Sequence, residues 1–192
     1  MSKFPVRKVA ICGQIRSGKD SMSNHLVERH AFQKFAFADG MKRLLHELFP
    51  EIPSSPKPRR AYQVFGEGMR SLDIPNAQHV WINSCMRKVD AHIWWHSEVD
   101  NRGANVVITD LRTPEEYEHL RADGYTIIRV TAPLEIRKAR AIAAGDSFDE
   151  KDLDHETERH IEGFDVDYEI VNDGNIDELY AKVDAVMDEI AR

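Results

Sequence analysis

The chain lacks several features that define other protein classes. It has two cysteines in 192 residues, Cys12 and Cys85, far apart in sequence. That excludes a disulfide framework and fits reduced thiols in a cytoplasmic protein. No apolar run approaches the roughly 18 residues of a membrane span, and the first apolar strand pattern begins within a few residues of Met1, so no secretory signal is expected. Positive charge is in the minority, 26 Lys and Arg against 33 Asp and Glu, a net charge of −7. A nucleic-acid polymer or an acidic membrane is therefore not an expected partner, and any anion site must be a local basic cluster. No internal repeat or low-complexity tract appears. What remains is 42% hydrophobic and 31% charged, which predicts one globular domain over 1–192 with a full core.

What the chain does have is the stretch Gly13-Gln-Ile-Arg-Ser-Gly-Lys-Asp-Ser21, set between the apolar run Val9–Cys12 and the helically spaced Met22, His25, Leu26 and Arg29. Strand, glycine-rich turn and helix N-terminus are the context of a phosphate-binding P-loop, and Gly13 to Gly18-Lys19 fits its G-x-x-x-x-G-K spacing. The glycines let the backbone approach oxygens that a Cβ would hold away. Around Gly13, Arg16, Ser17 and Gly18, backbone N–H groups and the helix dipole favour an anion, and Lys19 adds a point charge for the outer phosphates of a nucleoside triphosphate. Asp20 stands where the pattern has Ser or Thr, with a hydroxyl only at Ser21. Beside a triphosphate a carboxylate is repelled unless a divalent cation intervenes. Either Asp20 helps to hold magnesium, or it only favours the helix start and Ser21 serves the metal.

Strand-like runs recur at Val6–Cys12, Phe35–Ala38, Val106–Asp110, Thr126–Val130 and Tyr168–Asn172, with helical patterns between most of them. The alternation predicts an α/β, three-layer P-loop NTPase fold: a five-stranded parallel sheet with helices on both faces. Ligands collect at the carboxyl ends of such strands, so Gly13, Asp39, Asp110, Thr131 and Asn172 are expected on one rim. Two segments interrupt the pattern. A helical, aromatic insertion of about 40–103 follows the second strand, opened by a stretch, Pro50–Pro58, with four of the eight prolines. A charged segment, Gly145–Gly163, reads as part of a mobile lid spanning about 137–163.

Further residues carry candidate chemistry. Asp110, ending a buried strand, is a candidate magnesium or water holder, and Arg112 is placed to take a phosphate bidentately; alternatively Asp110 caps the helix opening at Thr113-Pro114, a role Thr113 can also fill. Arg70, with Arg59, Arg60 and Arg112, offers guanidinium groups to a dianionic acceptor. Arg137 and Arg140 are i,i+3 neighbours that read as lid arginines over a phosphoryl group in flight or as a solvated basic face. Asn172-Asp173-Gly174 is a turn whose backbone can border an adenine. His92 and His96 have a metal-compatible spacing but no adjacent ligand, so packing is expected and no zinc site is assigned.

With these residues in view, the chain resembles the deoxynucleoside monophosphate kinases of bacteriophages and some bacteria, P-loop kinases related to adenylate kinase. The likeness rests on Gly-Lys-Asp-Ser at 18–21, close to the family's Gly-Lys-Asp-Thr, and on Phe37-Ala38-Asp39 with Lys42, close to Phe-Ala-Asp-Pro-Leu-Lys. Gln63 with Gly66-Glu67 and Arg70, Asp110-x-Arg112 with Glu116, and Asn172-Asp173-Gly174 extend it over nearly the whole chain. The resemblance implies transfer of the ATP γ-phosphate to a deoxynucleoside 5′-monophosphate with Mg2+, acceptor contacts near Asp39, Lys42, Arg70 and Arg112, and lid arginines at Arg137 or Arg140. A base needs an aromatic wall, for which Phe37, Tyr62, Phe65 and Trp81 are candidates, with Gln63 or Asn83 for polar contacts. Gly40 replaces the family's Pro, and the lid is unusually acidic (Asp146, Asp149, Glu150, Asp152, Asp154). Another small-molecule kinase on this scaffold, of the phosphomevalonate or dephospho-coenzyme A type, and a nucleotide-binding switch that transfers nothing are the alternatives. The sequence does not fix the preferred base, the sugar or the oligomeric state, a homodimer included.

Overall fold

A computed structural model describes residues 4–144 and 160–191. Five strands form one parallel sheet in the order β2-β3-β1-β4-β5, with helices on both faces, an α/β P-loop NTPase fold. The strands are β1 (Val6–Cys12), β2 (Phe32–Phe35), β3 (Ala104–Ile108), β4 (Thr126–Thr131) and β5 (Tyr168–Val171). β1 lies between β3 and β4, with Val9 opposite Val107 on one side and Ile11 opposite Ile128 on the other. Buried on both sides, these strands read as continuous apolar runs rather than alternating ones.

The chain divides into two compact units. One holds Phe35–Gly103 with the N-terminal residues to Pro5; the other holds Val6–Lys34 and Ala104–Arg192. In the second, the sheet unit, helix α1 (Lys19–His30) and the last helix, α7 (Ile176–Ile190), share a core with the strands: Met22 and Leu26 from one, Leu179, Val183 and Met187 from the other, with Val9, Ile11, Val107, Ile128 and Ile170. α7 starts cleanly because the Glu178 backbone N–H donates to Asn175 Oδ1 at 3.0 Å. α5 (Pro114–Ala122) and α6 (Leu134–Ala143) complete the described helices of this unit that carry site residues.

The helical unit contains α2 (Phe37–Leu48), α3 (Arg59–Arg70) and α4 (Val80–Glu98). Its buried residues include Phe37, Leu45, Trp81, Ile82, Cys85, Met86 and Val89. α2 and α4 approach closely at Gly40, where a Cβ would stand 2.7 Å from Ser84 Oγ, so this position accepts no side chain without a shift.

The second strand corrects the sequence expectation. It ends at Phe35, and Phe37, Ala38 and Asp39 form the first turn of α2. β2 was hard to see because only Phe32 of its four residues is buried while Gln33 and Lys34 are polar; Phe37, Gly40 and Leu45 instead follow the helical period. Asp39 thus belongs to a helix start, not to a strand end. The expected lid residues 145–159, with the acidic positions Asp146, Asp149, Glu150, Asp152 and Asp154, lie outside the described residues.

Candidate phosphate-binding site

Residues 13–18 join the buried end of β1 to the N-terminus of α1. Gly13 (φ +149°) and Gly18 (φ +111°) both take backbone conformations that L side chains rarely adopt. Space also excludes a side chain: a Cβ on Gly13 would overlap the Val130 carbonyl oxygen, and one on Gly18 would overlap the Asn172 side-chain amide. Arg16, between them, is also left-handed at φ +61°. Lys19 Nζ donates to the carbonyl oxygens of Gly13 at 2.6 Å and Gln14 at 2.8 Å. Ser17 is fully buried, and its Oγ has no hydrogen-bond partner among the described residues.

The loop is held from behind by residues distant in sequence. Asn172, just past β5 and 5% exposed, donates from Nδ2 to the Ser17 carbonyl oxygen at 2.8 Å. Its backbone N–H donates to Thr131, the last residue of β4, at 2.7 Å. Arg140 on α6 donates to Asn172 Oδ1 at 3.1 Å and to the Asn172 carbonyl at 3.3 Å, and its other terminal nitrogen points at the carbonyls of Ser17 and Arg16 (3.4 and 3.5 Å). One guanidinium therefore joins the loop after β1 to the turn after β5 with five donors fixed in a plane.

The two arginines given one expected role have different surroundings. Arg140 is engaged with the loop as described. Arg137, one turn earlier, is 5% exposed, and its Nε and Nη1 have no partner among the described residues. Buried donors left unpaired in this way are costly, so Nε and Nη1 of Arg137 mark a place where an acceptor among the described residues is missing. Neither belongs to a solvated basic face.

Asp20 is exposed in the first turn of α1, and Ser21 beside it is partly buried. Asp110 lies two residues past β3 and is partly buried; Arg112 is exposed. Capping of α5 falls to Thr113, not Asp110: the Glu116 N–H donates to Thr113 Oγ1 at 3.3 Å, and the buried Glu116 carboxylate accepts from the backbone N–H groups of Arg112 (2.8 Å) and Thr113 (3.0 Å). This capping box fixes the backbone of Arg112. Gly13, Asp110, Thr131 and Asn172 all lie at or just past carboxyl ends of parallel strands of one sheet, the edge where α/β folds hold ligands. Beyond Asn172, Asp173 pairs with Lys182 at 3.0 Å, which holds its carboxyl below the usual value, and Gly174 sits so near the Glu178 carboxylate that a Cβ would overlap it. At the end of β1, burial raises the Cys12 thiol to about 11 against the opposing pull of Arg129, so it is a protonated, unreactive core group.

The remaining expected residues are in the helical unit. Asp39 and Lys42 face each other along α2 at 3.8 Å, largely exposed. Gln63 and Arg70 are exposed on α3. Trp81 is buried on α4 and donates its indole N–H to the Gly66 carbonyl oxygen at 3.1 Å, so it offers a wall but no free donor. His92 packs edge-on against Phe35, with ring centroids 5.6 Å apart, and its neighbour His96 pairs with Asp100 at 2.9 Å. Sequence reading missed the loop-holding role of Arg140 and Asn172, whose partners lie far away in the chain.

No protein-family model matches the chain. Uncharacterized protein ORF77 of Ictalurid herpesvirus 1 (strain Auburn) is 29% identical over 126 residues, 65% of this chain; the match spans 50% of that protein's length. Among solved structures, shikimate kinase from Acinetobacter baumannii in complex with shikimate is similar with a TM-score of 0.55 at 11% identity, covering 99% of this chain and 94% of that one. A gluconokinase from Sinorhizobium meliloti 1021 has a TM-score of 0.55 at 13% identity, covering 96% and 93%. An unliganded sugar kinase from Janibacter sp. HTCC2649 has a TM-score of 0.51 at 15% identity, covering 96% and 95%. At these identities the likeness is one of fold: the chain has the architecture on which those kinases are built.

Proposed function

We propose that the chain transfers the γ-phosphate of ATP to a (deoxy)nucleoside 5′-monophosphate, releasing ADP and the acceptor's diphosphate. The observation that carries the donor half is the Gly13–Ser21 loop, turned at Gly13 and Gly18 through conformations that glycine takes freely and leading into α1 at Lys19. In this reading Lys19 and the amides around Arg16, Ser17 and Gly18 hold the donor phosphates, and Asn172 and Gly174 border the donor nucleotide. The buried Ser17 Oγ and the Nε and Nη1 of Arg137, which have no hydrogen-bond partner among the described residues, fit an anionic polyphosphate. Asp20, Ser21 and Asp110 supply the hard oxygen donors that suit Mg2+, which when bound neutralises charge on the phosphates. Asp20 and Ser21 remain alternatives for that ion.

The acceptor half rests on the sequence resemblance and on the charge of Arg70 and Arg112, with Asp39, Lys42, Gln63 and Trp81 as further contacts. An acceptor phosphate, second pKa about 6, is already nucleophilic at neutral pH, so alignment and charge neutralisation suffice and no strong base is required. Location in the cytoplasm is part of this proposal; among the described residues no helix is long and apolar enough to cross a membrane. A different small acceptor is the second reading, favoured by the fold shared with a shikimate kinase and a sugar kinase. A coupled assay of ADP release separates the readings when run with deoxynucleoside and ribonucleoside monophosphates, shikimate, simple sugars, phosphomevalonate and dephospho-coenzyme A. Turnover with a nucleoside monophosphate is the expected outcome. Turnover with another acceptor alone moves the protein to the second reading, and ATP binding with no acceptor-dependent turnover makes it a switch.

A further inference from the structure

On the sheet unit, further along the helix that opens at Lys19, two histidines converge on one carboxylate. His25 Nε2 and His30 Nε2 each lie 2.7 Å from the same oxygen, Asp184 Oδ1. The histidines come from α1 and the aspartate from α7, two helices joined through the core by Leu26, Leu179 and Val183. By helical geometry His25 and His30 flank the buried Met22–Leu26 line, so the carboxylate beside Val183 meets both.

The three donor atoms lie within 4.8 Å of one another, the one such group of three or more His, Cys, Asp or Glu among the described residues. The rings are mostly buried, at 11% and 17% exposed, while Asp184 is 41% exposed and leaves a side open to solvent. Burial works to raise the Asp184 carboxyl, but hydrogen bonds from His30 and His25 hold it below its ordinary value, so it is ionised at neutral pH. His25 is further fixed by stacking on Tyr180, with centroids 4.1 Å apart and planes 10° from parallel. His30 sits at the helix end, where Asn105 Nδ2 donates to its carbonyl oxygen at 2.9 Å. Both ligand-bearing backbones are thus held in place.

We propose that His25, His30 and Asp184 form a binding site for a late first-row divalent cation, Zn2+ above all, clasping the end of α1 to α7. Two imidazoles and one carboxylate are a borderline donor set that favours zinc and its neighbours over Mg2+ or Ca2+. Tetrahedral zinc needs N and O donors at about 2.0–2.2 Å from the ion, hence roughly 3.4 Å from each other. The two His–Asp distances of 2.7 Å must open by roughly 0.7 Å, a movement the exposed carboxylate can supply, and the two Nε2 atoms, within 4.8 Å of each other, must settle to the same spacing. Each ring keeps its net charge as the proton on Nε2 passes to Nδ1 and the freed lone pair binds the ion; water completes the coordination from the exposed side. At 1.5 Å per residue the two histidines stand about 9 and 16 Å along α1 from Lys19, so this site is distinct from any ion that accompanies a nucleotide.

The test uses the full chain, washed with chelator and titrated with Zn2+ by calorimetry, and with Co2+ followed by visible absorption and by proton NMR. The expected result is one equivalent bound, with at least a tenfold loss of affinity in His30→Ala and in Asp184→Asn. The control His92→Ala/His96→Ala should leave that equivalent intact. Circular dichroism checks the folding of each variant; should His30→Ala not fold, hyperfine-shifted imidazole resonances of His25 and His30 in the Co2+-loaded unaltered chain give the same answer. No uptake, uptake indifferent to Asp184→Asn, or Co2+ that shifts other histidines instead overturns the proposal and leaves a hydrogen-bonded ion pair.

Discussion

The two units of the chain treat their candidate residues in opposite ways. In the sheet unit the loop at Gly13–Ser21 is gripped from several sides: Lys19 on its own carbonyls, Asn172 on Ser17, Arg140 across both. In the helical unit Gln63 and Arg70 are exposed and Asp39 and Lys42 meet only loosely at 3.8 Å. A pre-shaped anion cradle suits a phosphate chain that is the same in every cycle. Exposed, long side chains suit a ligand that brings its own order on binding, at the cost of their rotamer entropy. On the proposed reading, the comparison teaches that the donor half would rest on a loop the fold holds rigid, and the acceptor half on side chains the fold leaves open.

Three substitutions break or sharpen that contrast. The largest effect is expected from Lys19→Ala. One hydrogen bond to a charged group is worth about 1.5–3 kcal/mol, so ATP-dependent turnover should fall roughly ten- to hundredfold, and further if the contact tightens in the transition state. Steady-state kinetics with the best acceptor of the panel measure it; turnover within twofold of the unaltered chain removes Lys19 from the donor site. Next comes Arg140→Ala, which removes the donor to Asn172 Oδ1 and the longer contacts to the Arg16 and Ser17 carbonyls, leaving Ser17 its bond from Asn172. A destabilisation of about 1–3 kcal/mol is expected in urea unfolding, with a weaker ATP affinity alongside it. Loss of ATP affinity with stability unchanged would give Arg140 a direct ligand role in place of a positioning one. The smallest stability change belongs to Arg70→Ala, within about 0.5 kcal/mol, as for surface positions generally. Its effect should appear instead in kcat/KM for the acceptor, with ATP affinity held. An Arg70→Ala variant as active as the original would sink the acceptor assignment.

The legible parts of this molecule were the local ones. The phosphate loop occupies nine consecutive residues whose glycines, flanking strand and following helix can all be read in order, and strands β1, β3, β4 and β5 announce themselves as apolar runs. β2 did not, because Gln33 and Lys34 fill the centre of its four residues, whereas β5, as short and with only Ile170 buried, keeps three apolar or aromatic positions of four. The capping of α5 reads as a choice between Asp110 and Thr113, although the Thr113-x-x-Glu116 spacing of a capping box already favours Thr113. Arg140 reads in the sequence as a lid arginine or part of a solvated face, not as a loop holder, because its partners lie 32 residues ahead and more than 120 behind, at no characteristic spacing. The same holds for His25 and His30, whose shared carboxylate is over 150 residues away in sequence. Trp81 was legible as an aromatic, but not that Gly66 had already taken its N–H.

The position of Lys19 has a consequence for selectivity. Its ammonium rests on the carbonyls of Gly13 and Gln14, so the loop solvates its own cation. An arriving ligand does not meet a bare charge; it must outbid two acceptors already in place. An ion that offers one weak oxygen gains nothing by that exchange, whereas adjoining phosphates that present several charged oxygens at once do. In the proposed donor role, the lysine would thereby act as a threshold, favouring a polyanion over any ion that offers a single weak oxygen.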